Sequence, residues 1–125
     1  VSLHTPWLPE TVGMITGAHL ASMKPYSTFI NTGRGAVVRE QEMIEVLQRR
    51  PDLVAVLDVT HPEPPAPDSP LYTLPNVVLT PHIAGAYGTG EALRLGRCAV
   101  DEIARFVAGQ PLQWQIRPEQ AARLA

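Results

Sequence analysis

Leu-Val-Ala-Val-Leu-Asp, residues 53–58, is the stretch that decides the fold. Five apolar residues follow one another without a polar interruption and end on a carboxylate. A short run of this kind is typical of a strand that is buried on both faces of a parallel sheet. Residues 28–30 (Thr-Phe-Ile) and 77–79 (Val-Val-Leu) have a similar character, and residues 1–4 predict a short strand before them. We therefore predict parallel strands, with residues 53–57 fully buried.

Amphipathic segments separate these strands. Residues 39–50 place four apolar side chains near helical spacing: Met43, Ile44, Val46 and Leu47. Residues 11–23 predict a turn and then a helix whose Leu20 and Met23 face inward. Strands that alternate with helices are typical of an α/β fold in which crossover helices connect parallel strands.

A long amphipathic helix is predicted over residues 90–107. Its apolar positions recur three and four residues apart: Ala92, Leu95, Ala99, Ile103 and Phe106. We expect it to end near Gly109 and Pro111. Residues 112–125 carry no motif, and Trp114 is either a packing anchor or part of the tail.

Three polar side chains follow the predicted strands. Arg34 follows the second strand within Asn-Thr-Gly-Arg-Gly, His82 follows the last strand within Pro-His-Ile-Ala-Gly, and Glu63 lies in a proline-rich loop at residues 60–70. Parallel strands bring such residues to one edge of the sheet, where ligands bind. A guanidinium can hold a carboxylate through two hydrogen bonds, a histidine can move a proton near neutral pH, and a carboxylate can orient that histidine and favour its charged form. Together they suit oxidation of a 2-hydroxy acid.

Each of the three residues also has a structural explanation. Gly-Arg-Gly at a strand end is more often a turn with a solvated arginine, and a glutamate between prolines is usually exposed surface. A histidine after proline is more often held by structural hydrogen bonds than catalytic. Taken singly, each of the three residues therefore favours the structural explanation. The other histidines lack such settings, and we expect them to be structural or exposed: His4, His19 and His61.

The three strings resemble the D-isomer-specific 2-hydroxyacid dehydrogenases, the family that includes D-lactate, D-glycerate and D-3-phosphoglycerate dehydrogenases. The resemblance covers residues 1–111. Residues 31–40 match the arginine motif of the family, residues 57–64 its glutamate motif, and residues 76–82 its histidine motif. Three motifs in register are far more specific than any one of them alone.

The resemblance implies the second half of a Rossmann-type parallel sheet with crossover helices, followed by the long amphipathic helix. Residues 1–87 would be the C-terminal half of the NAD-binding domain. Residues 88–111 would be the helix that crosses to the substrate domain, and residues 112–125 a C-terminal tail. It also implies a homodimer in the intact protein.

The activity that the resemblance implies is hydride transfer between NAD, with NADP as an alternative, and a small D-2-hydroxy acid or its 2-keto acid. Arg34, Glu63 and His82 would be the catalytic residues. Asp58 would contact the nicotinamide carboxamide. The full set of implied cofactor-binding residues is Thr5, Pro6, Thr32, Gly33, Arg34, Asp58, His82, Ala84 and Gly85.

One part of the family pattern is missing from this sequence. Members carry a glycine-rich G-x-G-x-x-G turn and, behind it, an acidic residue that contacts the ribose. The two G-x-G strings here, at residues 33–35 and 88–90, lie in other contexts. We therefore expect the 125 residues to be a downstream fragment of a longer dehydrogenase, inactive by itself. The alternative is a binding or regulatory module of the same fold, as in the related C-terminal-binding corepressors, because fold does not fix function.

Composition adds several expectations. With 45% hydrophobic and 18% charged residues and a net charge of −2, the chain belongs to the ordinary globular class. Nothing indicates the clustered positive charge of a nucleic-acid surface, and no apolar run approaches a membrane span. No Cys or His spacing fits zinc, so we expect no metal site. The single Cys98 favours a reducing compartment, hence the cytoplasm.

Overall fold

The computed structural model describes residues 1–86, 88–121 and 124. Its first compact unit, Val1–Ile83, holds a four-stranded sheet. The strands are β1 (Ser2–Leu3), β2 (Thr28–Asn31), β3 (Val54–Leu57) and β4 (Val77–Leu79). They lie in the order β1, β2, β3, β4, and each pairs in parallel with the next. The predicted α/β fold with a parallel sheet is confirmed.

The carboxyl ends of all four strands are in line. Leu3 pairs with Asn31, Asn31 with Leu57, and Leu57 with Leu79, and each of these is the last residue of its strand. Because parallel strands run in the same direction, the four following segments leave the sheet at one edge. That edge carries the polar residues that the sequence singled out.

Two helices of this unit, α1 (Gly17–Ala21) and α2 (Glu40–Arg49), contribute to one hydrophobic core. The four apolar residues predicted on the inner side of α2 are all buried: Met43, Ile44, Val46 and Leu47. Leu20 of α1 is buried as predicted, and Met23 packs partly buried against the same core. The strands supply Leu3, Phe29, Ala55 and Leu57.

The end of α2 is closed by a buried side chain. Asn76 Nδ2 donates to three carbonyl oxygens, those of Leu47 at 3.1 Å, Arg50 at 3.3 Å and Leu53 at 2.9 Å. The last carbonyls of a helix have no partner within the helix. Asn76, which stands just before β4, therefore satisfies them and joins the start of that strand to α2.

The prediction that residues 53–57 form a fully buried strand is wrong. Leu53, Ala55 and Leu57 are buried, but Val54 is 37% exposed and Val56 is half-buried. Successive side chains of a strand point to opposite faces of the sheet, and only the face with Ala55 and Leu57 packs into the core around α1 and α2. An apolar run does not reveal which of its faces is covered.

The second unit, Ala84–Leu124, contains α3 (Thr89–Val107) and the short α4 (Pro118–Ala121). The predicted helix at residues 90–107 is confirmed. It ends as expected at Gly109, whose φ of +63° suits glycine. Gly109 N–H donates to Phe106 O at 3.1 Å and Gln110 N–H donates to Arg105 O at 2.9 Å, which is the Schellman arrangement.

The segment after α3 is attached to it through Glu102. The backbone N–H groups of Gln113 and Trp114 each donate to Glu102 Oε2 at 3.0 Å. These bonds, that of Trp114 first, lower the pKa of Glu102 below its usual range. Trp114 is 69% exposed, so it is not a buried packing anchor. Among the helices of the described residues, none is long and apolar enough to cross a membrane.

Candidate active site

Glu63 and His82 are in direct contact. His82 Nδ1 lies 2.6 Å from Glu63 Oε1, and the two side chains are 46% and 41% exposed. The pairing that the sequence predicted is therefore present, and the contact becomes an ion pair when the imidazole is protonated. The carboxylate thus engages Nδ1 of the ring rather than Nε2.

His82 has an unusual backbone conformation. Its φ is +54°, in the left-handed region that residues with a Cβ seldom adopt. Its N–H donates to Thr80 O at 3.0 Å, which closes a three-residue turn around Pro81. Such outliers cluster at functional sites, where the surrounding structure enforces them.

Asp58 is the residue that enforces this turn. It is buried, with 4% of its surface exposed, and its Oδ1 accepts from Thr80 Oγ1 at 2.6 Å and from Ile83 N–H at 2.8 Å. These two donors stand on either side of His82. The Asp58 N–H donates in turn to Asn31 O at 3.0 Å. From the sequence we expected Asp58 to contact the cofactor, and we did not expect these hydrogen bonds around His82; the one sequence signal for them was a threonine two residues before the histidine.

Arg34 lies in a loop that Asn31 orders. Asn31 Oδ1 accepts from Gly33 N–H at 3.1 Å, and its Nδ2 donates to Arg34 O at 3.2 Å. Asn31 is only 1% exposed, so the loop is fixed to the core at the end of β2. The half-buried Arg34 side chain donates from Nη1 to Gly33 O at 2.9 Å and makes no hydrogen bond to Glu63 or His82 within the described part of the chain.

The loop of Arg34 approaches the segment after β3 very closely. A Cβ built on Gly35 would lie 2.1 Å from both the carbonyl carbon and the carbonyl oxygen of Thr60. Only glycine allows two backbones to come this near. The contact fixes the Arg34 loop against the segment that continues to Glu63.

Predicted cofactor-binding residues from two neighbouring loops also meet. A Cβ on Gly33 would lie 3.1 Å from Thr5 O, so the loops after β1 and β2 touch there. Thr11 Oγ1 donates to Pro6 O at 2.7 Å and orders the first of these loops. Thr5, Pro6 and Thr32 are half-buried beside Gly33.

Ala84 and Gly85 belong to the second unit. They are exposed residues of the turn before α3, and a Cβ on Gly85 would meet nothing within 4 Å. Packing therefore does not explain the glycine at this position.

An open cavity of about 450 Å³ borders the contact between Glu63 and His82. Asp58 and Thr60 line it together with apolar groups, namely Pro64, Pro65, Tyr72, Leu79 and Pro81. Its size falls in the range of small-molecule sites. Tyr72 was not recognised from the sequence, because nothing near it in the chain marks it. Among the described residues, no three His, Cys, Asp or Glu side chains come together as a metal site.

The loop of Glu63 is also joined to the start of α2. Glu40 Oε2 accepts from His61 N–H at 3.0 Å. Burial raises the pKa of Glu40, and the hydrogen bond from His61 opposes that rise. On its other side, the His61 ring packs edge-on against Trp7, with ring centroids 5.2 Å apart. His61 is exposed, as expected, and it contacts two neighbouring segments through its N–H and its ring.

Comparison with known proteins agrees with this geometry. Residues 1–84 match the family described as D-isomer specific 2-hydroxyacid dehydrogenase, NAD binding domain. Glyoxylate/hydroxypyruvate reductase B of Klebsiella pneumoniae (strain 342) is 42% identical over 120 residues, which are 95% of this chain and 36% of the reductase. D-3-phosphoglycerate dehydrogenase of Archaeoglobus fulgidus is 37% identical over 114 residues, 90% of this chain and 21% of that protein.

Solved structures show the same relationship. The D-isomer specific 2-hydroxyacid dehydrogenase from Xanthobacter autotrophicus Py2, in complex with NADPH and MES, superposes with a TM-score of 0.77 at 35% identity. The match covers 96% of this chain and 48% of that one. This chain thus spans less than half the length of each of these three proteins. Since the family match covers residues 1–84, more than half of the 125, the chain belongs to the D-isomer specific 2-hydroxyacid dehydrogenase family.

Proposed function

We propose that this chain carries the catalytic residues of an NAD(P)-dependent oxidoreductase that interconverts a D-2-hydroxy acid and its 2-keto acid. The observation that supports this most strongly is the 2.6 Å contact between His82 and Glu63 at the sheet edge where Arg34 also lies. An imidazole oriented by a carboxylate is a general acid and base. A guanidinium at the same edge supplies the anion-binding group that a carboxylate substrate needs.

The proposed role of each residue follows from its chemistry. Arg34 binds the substrate carboxylate and polarises the oxygen on C2. His82 takes the proton of the C2 hydroxyl on Nε2, because Glu63 holds Nδ1, and returns that proton in the reduction. Glu63 stabilises the imidazolium that forms, as carboxylates do for catalytic histidines elsewhere. When bound, the nicotinamide ring supplies the acceptor or donor of the hydride at C2.

The residues present fit a nicotinamide cofactor. The cavity beside Asp58 and His82, of about 450 Å³, has the size and the mainly apolar lining of a small-molecule site with a few polar groups. We propose that nine residues hold the cofactor: Thr5, Pro6, Thr32, Gly33, Arg34, Asp58, His82, Ala84 and Gly85. NAD and NADP both remain candidates, and the structural relative from Xanthobacter autotrophicus is a complex with NADPH.

The relatives bear on the substrate, and the cysteine content bears on the cellular location. The named relatives are reductases of glyoxylate and hydroxypyruvate and a dehydrogenase of D-3-phosphoglycerate, so we propose a small 2-keto acid as substrate. These relatives give no support to the corepressor-like alternative. A homodimer and a cytoplasmic location stay proposals, the second on the single thiol Cys98.

The test is an assay of the complete gene product that contains this sequence. Oxidation of NADH and of NADPH is followed with glyoxylate, hydroxypyruvate and other 2-keto acids. In Arg34→Lys, an ammonium cannot make the bidentate contact, so we expect kcat/KM to fall by about 100-fold or more. The control Arg49→Lys changes an exposed arginine of α2 and should retain full activity. Absence of turnover with every 2-keto acid, or an Arg34→Lys enzyme as active as the control, would refute the proposal.

A further inference from the structure

The segment that carries Glu63 has little packing to hold it. His61, Pro62, Glu63 and Pro64 are all exposed, and residues 60–70 contain five prolines. A proline has no N–H, so the loop has few backbone donors, and beside Glu63 its internal hydrogen bond is the one from Thr60 Oγ1 to Pro62 O at 2.9 Å. Yet Glu63 must stay within hydrogen-bonding distance of His82. Side chains outside the loop form further hydrogen bonds with it.

Two side chains meet this loop on opposite sides of Glu63. Two residues before Glu63, His61 N–H donates to Glu40 Oε2 at 3.0 Å. Two residues after it, Pro65 O accepts from Tyr72 Oη at 3.1 Å. Glu40 and Tyr72 therefore hold the two flanks of the catalytic carboxylate.

Both holding residues are themselves attached to the core. Glu40 is the first residue of α2, whose inner side chains are buried. Tyr72 ends a short 3-10 turn, Pro70–Tyr72, in which Leu71 is 2% exposed and Ser69 Oγ accepts from Leu71 N–H at 3.3 Å. Each hydrogen bond thus connects the exposed loop to a well-packed element.

We propose that Tyr72 and Glu40 are positioning residues that keep the Glu63 carboxylate on His82 Nδ1. Neither touches the reacting atoms. Their importance for catalysis rests on the proposed function, but their effect on the contact between Glu63 and His82 does not. Tyr72 also lines the cavity beside the contact between Glu63 and His82.

The experiment reads the tautomer of His82 in the chain as it stands. The chain has four histidines, so ring nitrogen shifts of a 15N-labelled sample can be assigned. At about pH 8.5, where a free imidazole is neutral, the Glu63 carboxylate favours the Nδ1–H form of His82. We expect Tyr72→Phe and Glu40→Ala each to lower the ratio of Nδ1–H to Nε2–H by about fivefold, the effect of about one net hydrogen bond.

Matched variants separate positioning from general damage. Tyr26→Phe removes the hydroxyl of a tyrosine that is 88% exposed and should leave the ratio unchanged. Glu40→Gln keeps an acceptor oxygen for His61 N–H and should restore the ratio that Glu40→Ala loses. A ratio unchanged in Tyr72→Phe removes Tyr72 from the proposal. An unchanged ratio in Glu40→Ala, or a loss that Glu40→Gln does not restore, removes Glu40.

The assay of the complete gene product distinguishes this inference from the proposed function. If the tautomer ratio shifts but no 2-keto acid is reduced, the positioning inference stands and the proposed function fails. If turnover is present and the ratio does not move in either variant, the inference fails and the function stands.

Discussion

Gly35→Ala tests whether the Arg34 loop is held by the close approach of two backbones. The added methyl group would lie 2.1 Å from the carbonyl carbon and oxygen of Thr60 and 2.6 Å from its Cα. All three are backbone atoms, so no side-chain rotation can relieve the contact. Overpacking of this kind costs about 1–3 kcal/mol, sometimes more.

Two opposing contributions set the change in stability caused by Gly35→Ala. Gly35 lies in a right-handed 3-10 turn, Gly35–Val37, so alanine suits its dihedral angles and reduces the entropy of the unfolded chain by about 0.4–1 kcal/mol. Since the contact is far inside the ordinary separation of about 3.5 Å, the upper end of the overpacking cost applies. We expect a net loss of about 2 kcal/mol in the free energy of unfolding.

Urea denaturation followed by circular dichroism measures this loss. With a slope of about 2 kcal/mol per molar urea, the midpoint should fall by about 1 M. The control Gly96→Ala adds a methyl group in the middle of α3, where nothing lies within 4 Å, and should stabilise that helix by up to about 1 kcal/mol. A Gly35→Ala chain within about 0.5 kcal/mol of the parent would refute the close contact with Thr60.

Three further predictions concern the contact between Glu63 and His82, the ion pair of Arg50 and Asp52, and the end of α2. Glu63→Gln in the complete gene product should lower kcat/KM by about 10- to 100-fold, because an amide stabilises the imidazolium of His82 less than a carboxylate does. Activity equal to that of the Glu45→Gln control would exclude Glu63 from the mechanism. The hydrogen bonds from Arg50 hold the pKa of Asp52 below its usual value, so the stability from this pair is present above about pH 4 and is lost as pH falls through the lower folded pKa. Asp52→Asn should therefore weaken the loss of stability in acid, measured by urea titrations at several pH values. An identical dependence of stability on pH in the variant and the parent would contradict the role of this pair. Asn76→Ala removes the amide that donates to the carbonyls of Leu47, Arg50 and Leu53, and it should lower the free energy of unfolding by about 1–3 kcal/mol. An unchanged free energy of unfolding in urea titration would show that water replaces the amide.

Regular spacing made the elements of this fold predictable from sequence. The buried side of α2 could be predicted because a helix repeats every 3.6 residues, and the end of α3 because glycine suits a left-handed dihedral angle. The exposure of Val54 could not be predicted, because an unbroken apolar run fits a strand that is covered on both faces and the sequence does not show that one face is left uncovered. That property depends on which elements lie over the strand rather than on the strand itself.

The candidate site was likewise only partly predictable from the sequence. Arg34 and His82 were recognisable because each follows a predicted strand within a distinctive string of residues. The contacts that hold them were not, since Asp58 meets Thr80 and Ile83 only after more than 20 residues of intervening chain have folded. No local pattern marks a pair that tertiary structure alone brings together.

The three proposed catalytic residues therefore depend on different parts of the structure. Arg34 and His82 are fixed by Asn31 and Asp58, two buried polar side chains at strand ends that parallel register aligns. Glu63 lies on an exposed loop, whose position depends on hydrogen bonds from outside it. Substitutions in the sheet should consequently disturb substrate binding and proton transfer together, because both anchors move with the strands. Substitutions around the loop of Glu63 should impair the orientation of the His82 imidazole and leave substrate binding by the Arg34 guanidinium unchanged.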